Sequence, residues 1–536
     1  MKTARDATSR LLFDLLVLAG CCAFLFFFGL NAIGLTGADE PRYAQIAREM
    51  LARGDWVTPV LHGQPWLEKP VLYYWEAMVS YSIFGVSDWA ARLPAAVDAT
   101  ALVFAVYLFA RYLWHGVELA AALITASCAF IVGFGHAAST DMPLSAAFAI
   151  GMLFWMAFEH DSRNDDRSSP RQKLWLAGFY LFTALGMLAK GPVAPLLAAL
   201  IIMVLALLRR ESRLIWRTLW VPGIVLFLGV ALPWYVLVEL RTGTFFRVFL
   251  LEHNLARYTT TVHRHVQPFW FFVPIVLAAL LPWALLALAG LVRALRRWRE
   301  SPSAQVLVVW AVLPVVFFSF SDSKLPGYIL PVVPAFALLA VTYLYANVLA
   351  GRRMDHFLLF GHALLSGATL AAVLLAPNLT SRVRPPQQAI TLATSAGVIT
   401  FAAIMLVVRR AGWRSVRLIT LAPVILGVAF LLRFAAPTLD ATFSARPVAR
   451  ELARLQPAKG PVAIFNAPRE VEYGLGFYLN QPIPRYDRDA IPAAAHVLIT
   501  RSAPSEIAAL VPGRQIVPLG HFPRQRLHFY WISAVK

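Results

Sequence analysis

Long apolar runs alternate with short polar breaks along most of the chain. The runs reach about 17 to 24 residues, the length at which a helix crosses the hydrocarbon core of a bilayer, and about thirteen can be marked. Their cores are Leu11 to Leu30, Ala90 to Ala110, Val117 to Gly133, Met142 to Phe158, Leu174 to Leu188, Val193 to Leu208 and Trp220 to Val238. Phe269 to Val292, Ala304 to Phe320, Tyr328 to Leu349, Phe357 to Leu375, Ala389 to Val408 and Leu418 to Leu432 follow. Lys2, Arg5 and Arg10 precede the first run, a pattern shared by signal peptides and signal anchors; its length favours an anchor.

From about Ala436 the pattern changes. Short β-like runs, Val462 to Phe465, Val497 to Thr500, Gln515 to Pro518 and His528 to Ile532, are separated by helical or turn-rich stretches, which predicts a small α/β domain. The chain therefore divides into a polytopic α-helical membrane domain over 1-435 and an α/β domain over 436-536. Two polar loops, 31-88 and 239-268, interrupt the first. In the earlier one, Tyr43, Ile46, Ala47, Met50 and Leu51 recur at helical spacing opposite Arg42, Gln45, Arg48, Glu49 and Arg53, so a helix lies on the membrane surface there. Val71 to Phe84 forms a second juxtamembrane stretch.

Composition agrees with this partition: 59% of the 536 residues are hydrophobic and 14% charged. The net charge of +19 is no nucleic-acid footprint, because the arginines fall in short loops between alternate runs: Arg111, Arg163 to Arg171, Arg209 to Arg217, Arg293 to Arg299, Arg352 and Arg353, and Arg409 to Arg417. With the N-terminus inside, all of these are cytoplasmic, and the loops 31-88 and 239-268 and the C-terminal domain are external. Partners are lipids first. Cys21, Cys22 and Cys128 all lie in predicted spans, which excludes a disulfide framework or a zinc finger. No Gly-rich phosphate loop, metalloprotease motif or fixed-period repeat is present.

The external segments carry the candidate chemistry. Asp39 suits a helix cap before Pro41 as well as a catalytic carboxylate. Glu68-Lys69-Pro70 is either a solvated turn or part of a site. Asp141, before Met142-Pro143, and Lys190, before Gly191-Pro192, stand at the mouths of spans, where a charge needs a partner or water; Lys190 could also snorkel. Tyr328 suits a belt aromatic equally well. His253 and Arg257, four apart, share a helical face. Glu68 with a histidine could hold a divalent metal such as zinc, although no ligand spacing is specific.

Taken together, Asp39-Glu-Pro-Arg-Tyr43, Gly54-Asp-Trp56 to Pro65, Glu68-Lys69-Pro70, Ala91-Arg92-Leu-Pro94, Ala189-Lys190-Gly-Pro192 and Lys324-Leu-Pro-Gly-Tyr328 resemble the lipid-linked-sugar glycosyltransferases of the aminoarabinose transferase and protein O-mannosyltransferase superfamily. The similarity is greatest to the bacterial lipid A 4-amino-4-deoxy-L-arabinose transferases. It implies a GT-C fold in the inner membrane and transfer of a sugar from undecaprenyl phosphate to lipid A at the periplasmic face, with no required cofactor. Carried over by position, it implies catalytic roles for Asp39, Asp141 and Lys190. It also implies donor-phosphate contacts from Lys69, Arg257 and Arg42, substrate contacts from Tyr43 and Tyr328, and a metal position at Glu68 and His253. A protein O-glycosyltransferase would share fold and donor but not acceptor. A lipid-linked sugar transporter would be expected to place charges near the bilayer midplane and to show repeated halves, whereas here the charges gather at one rim.

Overall fold

Every apolar run is helical in the computed structural model, which describes residues 2–164, 169–249, 267–349, 355–380, 384–455 and 461–535. Among the described residues nine helices, from Ser9–Phe27 to Val416–Phe443, are long and apolar enough to cross a membrane, or up to eleven if two bent pairs each form one span. The bent pairs are Glu118–Ala126 with Ala129–Gly135, at 63°, and Phe269–Ala279 with Ala284–Arg296, at 115°. The difference from thirteen lies in the two helices on either side of Gly191-Pro192. Pro170–Lys190 carries Arg171, Lys173 and its terminal lysine, and Val193–Arg209 has 17 residues.

Hydrogen bonds and small residues hold the bundle together, as expected where lipid gives apolar side chains no reason to prefer one another. The fully buried Trp155, Trp283 and Trp310 each donate an indole N–H, to Thr218 Oγ1 at 3.0 Å, Ser127 Oγ at 2.9 Å and the Pro331 carbonyl at 3.0 Å. Gly290 lets its helix approach the backbone of Pro326–Asn347 so closely that any Cβ would overlap the Leu339 carbonyl.

The first polar loop folds into the helix Asp39–Arg53, a hairpin pairing Val60–Leu61 with Gln64–Pro65, and the helix Leu72–Phe84. One buried ion pair fixes the loop against the bundle. Glu40 accepts from Arg92 Nε at 3.0 Å and Nη2 at 2.7 Å, and from the Thr36 and Ala138 backbone N–H groups at 2.7 Å each. Arg92 spends its remaining donors on the carbonyls of Leu30, Ile33 and Gly34.

The last membrane helix continues to Phe443, and the α/β domain opens with the helix Arg446–Leu455. Its sheet runs Val462–Phe465, His496–Thr500, Leu527–Ile532, Ile516–Phe522 in spatial order, the first pair parallel and the others antiparallel. The domain is clamped onto the first loop. Arg446 bridges Asp88 at 2.8 Å and Asp440 at 2.9 Å, and the Tyr478 hydroxyl accepts from Leu35 N–H and donates to Asp88. The helix Arg469–Leu479 packs along Asp39–Arg53, where Arg48 donates to the Phe477 carbonyl at 2.8 Å.

Candidate active site

The helix Asp39–Arg53 begins at Asp39, so Asp39 and Arg42 sit one turn apart on its first turn and meet as an ion pair. Asp39 is not the helix cap: that position is Ala38, which makes no side-chain bond, and the Asp39 side chain is 60% exposed. Arg42 is its opposite, a buried guanidinium with Glu68 Oε2 at 3.9 Å on its other side. Three aromatic rings wall it in: Trp66 at 5.0 Å, and Tyr43 and Tyr473 at 5.3 Å each. Burial works against its charge, but Tyr43, Asp39 and Glu68 more than compensate and leave the pKa above the ordinary guanidinium value.

This enclosure is not saturated with hydrogen bonds. Arg42 Nε, Trp66 Nε1 and the Tyr74 hydroxyl are buried donors with no partner among the described residues. Buried donors left without acceptors are costly, so this cluster is built for an acceptor-rich group. Tyr43 stays protonated beside it: burial, then the Asp39 and Asp141 charges, raise its pKa. Tyr43 packs against Tyr73 and Tyr74 at 6.2 and 6.1 Å.

Asp141 and Lys190, from the start of one membrane helix and the end of the next, form a second ion pair. The lysine does not snorkel away. Its ammonium lies 5.6 Å from the centre of the Tyr328 ring, so three separate segments of chain converge here and Tyr328 is not merely a belt aromatic. Gly327 makes room: an added Cβ would stand 2.8 Å from Asp141 Oδ1. The influence of Asp141 on Tyr43 ties this group to the Arg42 enclosure.

Lys69 is half-buried between the hairpin and the helix Leu72–Phe84. Arg257 and His253 lie outside the described residues. Among the described residues no three His, Cys, Asp or Glu side chains gather as metal ligands, and Glu68, one half of the expected metal pair, faces Arg42.

Reasoning from sequence missed Trp66, Tyr74 and Tyr473. An indole two residues before Glu68 was a usable signal. Tyr473 had none, since its place beside Arg42 depends on docking of the C-terminal domain.

Comparison with known proteins gives a consistent answer. Residues 68–236 match a family described as dolichyl-phosphate-mannose-protein mannosyltransferase. A Pseudomonas fluorescens protein named undecaprenyl phosphate-alpha-4-amino-4-deoxy-L-arabinose arabinosyl transferase 1 is 35% identical over 328 residues, 59% of this chain and 55% of the relative. A similarly named protein of Pseudomonas aeruginosa is 35% identical over 368 residues, 66% of this chain and 65% of the relative. The chain thus spans between half and two thirds of the length of these curated relatives. In structure, it is similar to the crystal structure of ArnT from Cupriavidus metallidurans bound to undecaprenyl phosphate, with a TM-score of 0.79 and 24% identity over 97% of this chain and 99% of that one. It also resembles the archaeal oligosaccharyltransferase AglB from Archaeoglobus fulgidus, with a TM-score of 0.52 and 13% identity over 88% of this chain and 64% of that one. The fold is therefore GT-C, and the resemblance drawn from the motifs holds.

Proposed function

We propose that the protein is an inverting glycosyltransferase of the bacterial inner membrane that moves 4-amino-4-deoxy-L-arabinose from undecaprenyl phosphate to a phosphate of lipid A, with the site and the C-terminal domain on the periplasmic face. The observation that carries this reading is the cluster of unpartnered buried donors on Arg42, Trp66 and Tyr74. A sugar phosphodiester is dense in acceptor oxygens and would satisfy them. The names of the curated relatives supply the donor and the sugar.

The chemistry follows from the charges. An acceptor oxygen bonds to the anomeric carbon from the face opposite the carrier, and the bond from that carbon to the bridging phosphate oxygen breaks. The polyprenyl phosphate leaves as a monoester, taking the bonding electron pair with it. Catalysis therefore stabilises negative charge growing on phosphate oxygens, which Arg42, Lys69 and Lys190 are suited to do. A lipid A phosphate, with a second pKa of about 6, is already largely ionised near neutral pH and needs no general base. Asp39, exposed and paired on one side with Arg42, is free on the other to hold the sugar amine or orient the acceptor. Asp141 holds Lys190 in an ion pair that keeps its amine beside the Tyr328 ring. No step here needs a cofactor. A divalent ion bound at Glu68 would compete with Arg42 for the carboxylate.

The test is mass spectrometry of lipid A after incubation with donor and purified protein. A pentosamine should be added by the wild type, and lost with Asp39→Asn or Lys69→Ala while the protein stays folded. Wild-type rates in both variants, or addition of a hexose, would remove the reading.

A further inference from the structure

A cavity of about 920 Å³ lies where the first loop, the ends of two membrane helices and the α/β domain meet. The membrane contributes Thr380 and Phe443, each the last residue of a helix, so the cavity stands at the rim of the bundle. The first loop contributes Gly37, two residues before Asp39. The α/β domain contributes Arg501, Arg524 and Arg526, all exposed.

Several arginines of the domain are paired with carboxylates. Arg485 and Arg488 are tied to Glu472, Asp487 and Asp489, and Arg446 to Asp88 and Asp440. Among the described residues, by contrast, no carboxylate lies within ion-pair distance of Arg501, Arg524 or Arg526; Arg501 only donates to the Gln525 carbonyl at 3.2 Å. Among the described residues Glu470 is the single acid on the cavity wall. A neighbouring cavity of about 530 Å³ shares Arg501 and Arg526 and is also lined by His521 and His528. Apolar surface flanks the membrane side, with Leu379 60% and Phe443 46% exposed.

We propose that this cavity binds the phosphorylated sugar head group of the acceptor lipid, the acyl chains remaining in the bilayer beside Leu379 and Phe443. Planar guanidinium groups match phosphate oxygens in charge and geometry. The volume suits a head group larger than a single phosphate. The position of Gly37 brings one end of that head group toward Asp39. This rests on the proposed function and extends it, by assigning acceptor recognition to the C-terminal domain and leaving donor recognition to the Arg42 enclosure.

The experiment uses the full chain in lipid nanodiscs, titrated with a diphosphorylated glucosamine-disaccharide lipid, its dephosphorylated counterpart and inorganic phosphate. Undecaprenyl phosphate is titrated in parallel. The diphosphorylated lipid should bind at least about tenfold more tightly than the dephosphorylated one, and Arg524→Gln and Arg526→Asn should each cost about tenfold. Affinity for undecaprenyl phosphate should stay within about twofold, which separates a lost subsite from a lost fold. Equal binding of the two lipids would overturn the proposal. So would full displacement by millimolar inorganic phosphate, the mark of a free-anion site, or a parallel loss of carrier binding in both variants. Wild-type protein that binds the phosphorylated lipid but transfers nothing to it would remove the proposed function and leave this site. Transfer with an unchanged acceptor KM in the variants would do the reverse.

Discussion

Substituting Arg92 tests whether the first loop is held by one buried ion pair. Its side chain is 6% exposed and that of Glu40 is 9%, so neither group recovers full solvation when the other is lost. Arg92→Ala leaves the Glu40 carboxylate with the Thr36 and Ala138 donors and no counter-charge, and strips the Leu30, Ile33 and Gly34 carbonyls of their donor. Breaking one side of a buried pair costs about 3 to 5 kcal/mol, which lowers the fraction of correctly seated loop by roughly two to three and a half powers of ten. Burial alone would raise the Glu40 pKa; the Arg92 charge and the donated hydrogen bonds outweigh it and bring it below the ordinary value of 4.5. A depressed carboxylate pKa stabilises fully above the unfolded value and is lost as pH falls through the folded one. The wild-type pair is therefore at full strength from neutral pH down to about 5.5, and the variant's deficit is read at neutral pH. The assay is thermal unfolding in detergent beside the rate of sugar transfer. Arg92→Lys, a single point charge that cannot reach a carboxylate and three carbonyls at once, should fall between wild type and Arg92→Ala. Wild-type melting and turnover in Arg92→Ala would refute the reasoning.

Tyr473→Ala removes one wall of the Arg42 enclosure; at about 0.5 to 2 kcal/mol for a cation–π contact, carrier-lipid affinity should drop roughly 2- to 30-fold in a binding assay. No change would mean that the C-terminal domain does not reach the donor site. Gly34→Ala would place a Cβ 2.6 Å from the Tyr478 hydroxyl, 2.9 Å from Arg446 Cβ and against Ser444 Oγ; limited proteolysis between the two domains should accelerate, and an unchanged digestion pattern would count against the clamp. Stripping the protein with a chelator should leave transfer within about twofold, because the cations already present stabilise the leaving phosphate; a large loss restored by zinc would assign a metal role to Glu68.

The sequence made the membrane architecture legible because a spanning helix needs a long unbroken apolar run, and that signal survives without any knowledge of tertiary contacts. All thirteen runs are helical, two of them as bent pairs of helices, and the β-like stretches after Ala436 contain strands. Counting spans was harder, since Lys190 and Gly191-Pro192 interrupt a continuous apolar region at the place where function needs a charge. The candidate site was legible as a set of costly polar residues, yet not as partnerships. Nothing in the spacing of Asp39 and Arg42 distinguishes a capping aspartate from an ion pair on the first turn. The pairing of Asp141 with Lys190, and of Glu40 with Arg92, spans distances along the chain that no local pattern encodes.

The C-terminal domain shows most clearly what packing adds. Its helix Arg469–Leu479 lies along the same helix that carries Asp39 and Arg42, and Tyr473 and Phe477 are buried in one apolar cluster with Tyr43, Ile46, Tyr73 and Tyr74. That cluster has a wall from each domain, so a chain ending at Phe443 would expose the apolar face of Asp39–Arg53 to water and leave the Arg42 guanidinium with two aromatic neighbours in place of three. Loss of activity on truncation would then report collapse of the donor enclosure and say nothing about acceptor binding. Arg501, Arg524 and Arg526 escape this confusion. They lie apart from that cluster, their side chains pack little, and changing them alters charge at the cavity while the walls around Arg42 stay in place.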